Sequence, residues 1–122
     1  MADDRLPDEA LVVRGGCPPY DRDHGKSLLD GLRTHNSGLY GFSVQAGDET
    51  LGHLANYLPN KVVGVTNVGE IRQIGYDVVQ SSGAGRHATV VVPREWNQED
   101  ADRLGRLFRE KKNPNSLQRR PR

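Results

Sequence analysis

GLYGFSVQ, residues 38–45, alternates between apolar and polar side chains, and its reading decides the fold. Tyr40, Phe42 and Val44 fall on one side, Ser43 and Gln45 on the other. That period of two is the signature of a strand with one buried face. HATVVVP (87–93) repeats the device: Ala88, Val90 and Val92 share a face, and His87 and Thr89 project from the opposite one. LVVRGG (11–16) separates Leu11 and Val13 from Val12 and Arg14 before its glycines stop it. KVVGVT (61–66) and YDVVQSS (76–82) complete the strands. YDVVQSS reaches HATVVVP through Gly83, Ala84, Gly85 and Arg86, which predicts a hairpin.

Between the strands the apolar spacing lengthens. Leu28, Leu29 and Leu32 predict a helix over 27–35, against the preference of Gly31. Leu51, Leu54, Ala55 and Leu58 form the stripe of a helix within 47–58. NVGEIRQIG (67–75) fits a short helix capped by Asn67, closed by Gly75, with Val68, Ile71 and Ile74 inward. The last helix is expected over 97–112. Asn97 caps it, Glu99, Asp100 and Asp102 fill its first turn, Arg109, Lys111 and Lys112 fill its end, and Ala101, Leu104, Leu107 and Phe108 form its stripe. The expected fold is α+β: a small mixed, mostly antiparallel sheet with helices packed on one side and a C-terminal helix.

A chain of 122 residues supports one modest core. Residues 10–112 are expected to form it, with 1–9 a disordered acidic arm and 113–122 a disordered basic tail. No apolar run is long enough to span a bilayer, and MADDRLPDEA lacks the apolar stretch of a signal peptide, so a cytoplasmic protein without membrane contact is expected. The single Cys17 excludes an internal disulfide and a cysteine-based zinc site. The net charge of +1 conceals an asymmetry. Residues 103–122 carry eight Lys or Arg against Glu110 alone, a net of +7, which leaves −6 for the rest. Such a basic end suits RNA or an acidic partner, through Arg109, Lys111, Lys112, Arg119 and Arg120.

Three strands thus place a polar side chain beside glycine. If they are neighbours, Arg14, Ser43, His87 and Thr89 meet in one cleft, with Gly41 and Arg86 at its margin. Arginine holds phosphate through its fork, histidine moves a proton near neutral pH, and hydroxyls position ligand polar groups. That chemistry suits a nucleotide, NAD or RNA. The expected catalytic set is His87, Arg14 and Thr89; the expected substrate-binding set is Arg14, Ser43, Gly41 and Arg86. The carboxylates are scattered, no His/Cys metal spacing occurs, and neither a phosphate-cradling Walker loop nor a dinucleotide fingerprint is present. No metal site and no permanently bound cofactor are expected.

VVRGG, YGFSV, VGVTNVG and HATV together look like a group of small uncharacterised bacterial proteins. The order of elements also resembles bacterial toxins with an ADP-ribosyltransferase-like fold: an early strand with an arginine (Arg14), a glycine-serine strand (Gly41 to Val44), and a late histidine strand ending in proline (His87 to Pro93). The resemblance implies a cleft for NAD as substrate, lined by Arg14 and Ser43, and a cognate antitoxin as partner. Such transferases also use a glutamate. No E-x-E or Q-x-E occurs, and Glu70 and Glu95 are the late acids available. Two other functions fit the same residues. One is a metal-independent ribonuclease toxin with His87 as general base. The other is a non-catalytic antitoxin, immunity or adaptor module that uses the basic end.

Overall fold

The strand built on Tyr40, Phe42 and Val44 is the hub of the molecule. A computed structural model describes residues 6–15, 28, 31–34, 38–47, 50–58, 62–80 and 87–114. Its strands are β1 (Leu11–Gly15), β2 (Arg33–Thr34), β3 (Tyr40–Gly47), β4 (Val62–Asn67), β5 (Asp77–Gln80), β6 (His87–Val91) and β7 (Arg109–Lys112). They form one sheet in the order β5-β6-β3-β1-β4-β7, and β2 also pairs with β3. The pairings among the described residues are antiparallel. The chain is therefore an α+β domain with a mostly antiparallel sheet.

β3 uses its two edges differently. Residues Gly41 to Gln45 pair continuously with β6. The other edge is shared: β2 takes Tyr40 and Gly41, and β1 takes Gln45 to Gly47. A gap is left at the middle of the strand.

Alternation then sorts the side chains. Phe42, Val44 and Ala46 of β3 lie with Val12, Val78, Ala88 and Val90 in the main core. The helices α2 (Val68–Gln73) and α3 (Gln98–Gly105) close it with Val68, Ile71, Ala101 and Leu104. Trp96 stacks on Phe42 at 6.0 Å and meets Tyr76 edge-on at 5.8 Å. Each fully buried side chain of this kind contributes about 1.5–3 kcal/mol. On the opposite face a smaller cluster joins Val13 and Val63 to Leu54 and Ala55 of α1 (Leu51–Leu54) and the 3₁₀ turn that follows it (Ala55–Tyr57).

The local signals for α2 and α3 are realised. Asn67 Oδ1 accepts the Glu70 amide at 2.8 Å, and Gly75 closes the turn with φ +98°. Asn97 and Asp100 form a reciprocal cap, with bonds of 3.0 and 3.2 Å.

Four expectations are corrected. The last helix ends at Gly105 rather than 112; Leu107 and Phe108 donate to Leu104 and Gly105, and Arg109–Lys112 becomes β7 beside β4. Glycine weakens the helix by about 1 kcal/mol, Phe108 inserts into the core, and the open edge of β4 gains a partner. Within 27–35, Leu28 is helical as expected, but Gly31 lies in a turn and Arg33–Thr34 is strand, because β3 offers backbone partners there. Of the expected arm 1–9, residues 1–5 lie outside the described residues, but Leu6 is buried and the Asp8 carbonyl accepts the Gly69 amide at 2.8 Å. Arg72 fastens this segment, reaching Asp8 at 2.7 Å and Asp77 at 2.9 Å. The hydrogen bond to Asp77, then that to Asp8, raises its pKa above the ordinary arginine value. Finally, Asn113, expected in the tail, is 1% exposed and donates to the Leu58 carbonyl at 3.0 Å. Residues 115–122 lie outside the described residues. Among the described residues no helix is long and apolar enough to cross a membrane.

Candidate functional site

The register of β3 against β6 decides which polar side chains meet. Ser43 stands directly opposite Thr89, Gln45 opposite His87, and Gly41 opposite Val91. Phe42, Val44, Ala88 and Val90 occupy the main core, so alternation sends Ser43, Gln45, His87 and Thr89 to the other face together. Directly opposed pairs bring their Cβ atoms to about 4.5–5.5 Å. The second apolar cluster, which serves the β1–β4 half of that face, takes no member from β3, β5 or β6.

Thr89 is 1% exposed, and among the described residues its Oγ1 has no hydrogen-bond partner. Ser43 Oγ accepts a hydrogen bond from Arg33 Nη2 at 3.1 Å. Arg33 was not among the residues expected here, because 27–35 reads as helix. The sequence marks Gln45 only as a polar strand residue. A two-residue strand such as β2 is too short to show a period, so only its pairing with β3 reveals Arg33.

Arg14 arrives by a different route. It alternates with Val13 and so leaves β1 beside Val12 on the main-core side, away from the side chains of Ser43, His87 and Thr89. Its Nη1 donates to the Ser43 carbonyl at 2.8 Å, and its guanidinium carbon lies 5.2 Å from the centroid of the Phe42 ring. Of the four side chains expected to converge, Ser43, His87 and Thr89 therefore share one face, and Arg14 meets Ser43 only through the backbone. Arg14 occupies the gap on the β3 edge, where β1 has left and β2 has not yet joined. Gly31 makes room for it: a Cβ there would lie 2.9 Å from Arg14 Nη2.

A crevice of about 160 Å³ opens at this gap, lined by Val13, Arg14, Gly15, Ser43, Val44, Gln45 and Leu58. Its size suits a phosphate or a ribose rather than a whole dinucleotide, whose pockets start near ~300 Å³. A longer ligand would continue over Ser43, Thr89 and His87. Gly41 has a packing reason to lack a side chain, since a Cβ would overlap the Val90 carbonyl oxygen of β6. Arg86 lies outside the described residues.

The late acids sit elsewhere. Glu70, on α2, accepts from Thr66 Oγ1 at 2.6 Å and lies 3.9 Å from Arg109. Glu95 is exposed in the turn before α3. Neither lines the crevice. No group of three or more His, Cys, Asp or Glu side chains gathers among the described residues. Arg109, Lys111 and Lys112 are exposed on β7, at the far edge of the sheet from β5 and β6. Arg119 and Arg120 lie outside the described residues.

No family model, curated protein or solved structure matches the chain.

Proposed function

We propose that the domain binds NAD or a related nucleotide across the β3–β6 half of the sheet and acts on it, as a toxin-like effector enzyme of ADP-ribosyltransferase type. The supporting observation is the register that sets Ser43 against Thr89 and Gln45 against His87, beside a crevice bridged by Arg14. A phosphate or ribose fits the crevice, and the rest of the nucleotide runs along the polar row. Arg14 keeps the gap between β1 and β3 in shape. Ser43 and Thr89 offer hydroxyls to ligand oxygens. His87 takes the proton. In the reaction the bond between the ribose C1′ and nicotinamide breaks, nicotinamide leaves with the electron pair, and water or an acceptor hydroxyl bonds to C1′ and gives up its proton to His87. Among the described residues no acid lines the crevice, and His87 stands opposite Gln45, which does, so His87 is the base at hand.

Isothermal titration with NAD and ADP-ribose, with mass spectrometry of NAD after incubation, tests this. Binding and the appearance of nicotinamide are expected, with turnover lost in His87→Ala while its melting temperature is kept. Neither binding nor turnover would reject it. A second function draws on the exposed Arg109, Lys111 and Lys112 of β7. These suit a polyanion, and His87 would then deprotonate an RNA 2′-hydroxyl without metal. RNA cleavage that survives EDTA and fails in His87→Ala would favour the ribonuclease.

A further inference from the structure

We infer that the ligand phosphate is held by Arg33 rather than Arg14, in an anion subsite that Arg33 shares with the hydroxyls of Ser43 and Thr89. The inference rests on the nucleotide site proposed above and names the group that reads its charge.

Arg14 is the obvious cation, but it is already committed. Its Nη1 is given to the Ser43 carbonyl, its guanidinium carbon lies over the Phe42 ring, and Gly31 packs against its tip. A guanidinium held at three points acts as a strut. Moving it to a ligand would expose a main-chain carbonyl in the middle of the central strand.

Arg33 differs in each respect. It pairs with Gly41, which puts it on the same face as Ser43 and Thr89. It is exposed, and its hydrogen bond among the described residues is the one that Nη2 donates to Ser43 Oγ. It makes no ion pair among the described residues, whereas Arg72 faces Asp8 and Asp77, and Arg109 faces Glu70. Its remaining donors form a planar fork that matches phosphate oxygens. The bond it gives to Ser43 also orients that hydroxyl: having accepted from Arg33, Ser43 Oγ still has its own proton to donate. Directly across the strand pair, Thr89 carries a buried hydroxyl with no hydrogen-bond partner among the described residues. Leaving such a group dry has a desolvation cost that a ligand oxygen relieves. Gly41, facing Arg33 on the neighbouring strand, puts no side chain between the fork and the sheet. One cationic fork and two hydroxyls, with no acid among the described residues lining the adjacent crevice, form a donor set for a tetrahedral anion.

The test is titration of the full chain with pyrophosphate, ADP-ribose and adenosine. The wild type binds the two phosphate ligands. Arg33→Ala weakens both by about 10- to 100-fold, the span of one charge-assisted hydrogen-bond pair, and leaves adenosine unchanged. Arg33→Lys, which keeps the charge without the fork, recovers part of the loss. Arg33→Gln, with melting curves for every variant, guards against a folding defect. If ADP-ribose binds but Arg33→Ala binds it equally well, the inference fails and the nucleotide site stands. If pyrophosphate binds through Arg33 but neither NAD nor ADP-ribose does, the nucleotide function fails and the anion subsite stands. A wild type that binds no phosphate ligand overturns both.

Discussion

On the face opposite the main core, Val13 and Val63 lie under Leu54 and Ala55, whereas on the neighbouring strands of the same face Ser43, Thr89, Gln45 and His87 take the equivalent outward positions. Both halves obey the same two-residue period. They differ in what the sequence writes at the outward positions. Aliphatic side chains pack under α1, and Thr89 among the polar ones is just as closely buried. On this face, then, apolar packing gathers over β1 and β4 and polar side chains over β3 and β6, with the Arg14 crevice as the seam.

Four substitutions test this division, from the largest expected effect to the smallest. Leu54→Ala removes a fully buried side chain from the helix-covered half. It is expected to cost about 2–5 kcal/mol in denaturant unfolding. A loss confined to ligand binding would break the comparison. Arg14→Ala strips the Ser43 carbonyl of its guanidinium partner and should cost about 1–3 kcal/mol while also weakening nucleotide binding, because the seam belongs to both halves. An unchanged unfolding curve would show that Arg14 holds nothing together. Thr89→Val keeps shape and removes a buried hydroxyl without a partner. It should be neutral or stabilising by up to about 1 kcal/mol, yet lower the affinity for ADP-ribose. Destabilisation would mean that the hydroxyl serves the fold. Lys111→Ala, on exposed β7, should leave both the melting temperature and ADP-ribose binding where they are, and should weaken RNA binding only if the ribonuclease function holds.

Where a strand shows several alternating positions, as β3 and β6 do, the sequence alone separates the core face from the polar face. The caps at Asn67 and Asn97 are equally legible, because each depends on a side chain within three residues of the amide it satisfies. β7 is not legible. Ala101, Leu104, Leu107 and Phe108 continue a helical spacing, and the basic residues after them suit a helix end. Only the open edge of β4, brought near by the fold, turns that segment into strand. The candidate site was half legible for the same reason. Ser43, His87 and Thr89 share a face by local period, and Arg14 was visibly out of phase with Leu11 and Val13. That β1 leaves β3 at Arg14, and that Arg33 arrives beside Ser43, are facts of strand pairing between distant segments.

The interrupted edge of β3 has a mechanical consequence. On its β6 side the strand is paired from Gly41 to Gln45, but on its other side the main-chain ladder among the described residues stops between Gly41 and Gln45, with Arg14 spanning the gap. Bending the β1–β4–β7 block against the β2–β3–β6–β5 block there strains few main-chain bonds, so the crevice lies on the natural fold line of the sheet.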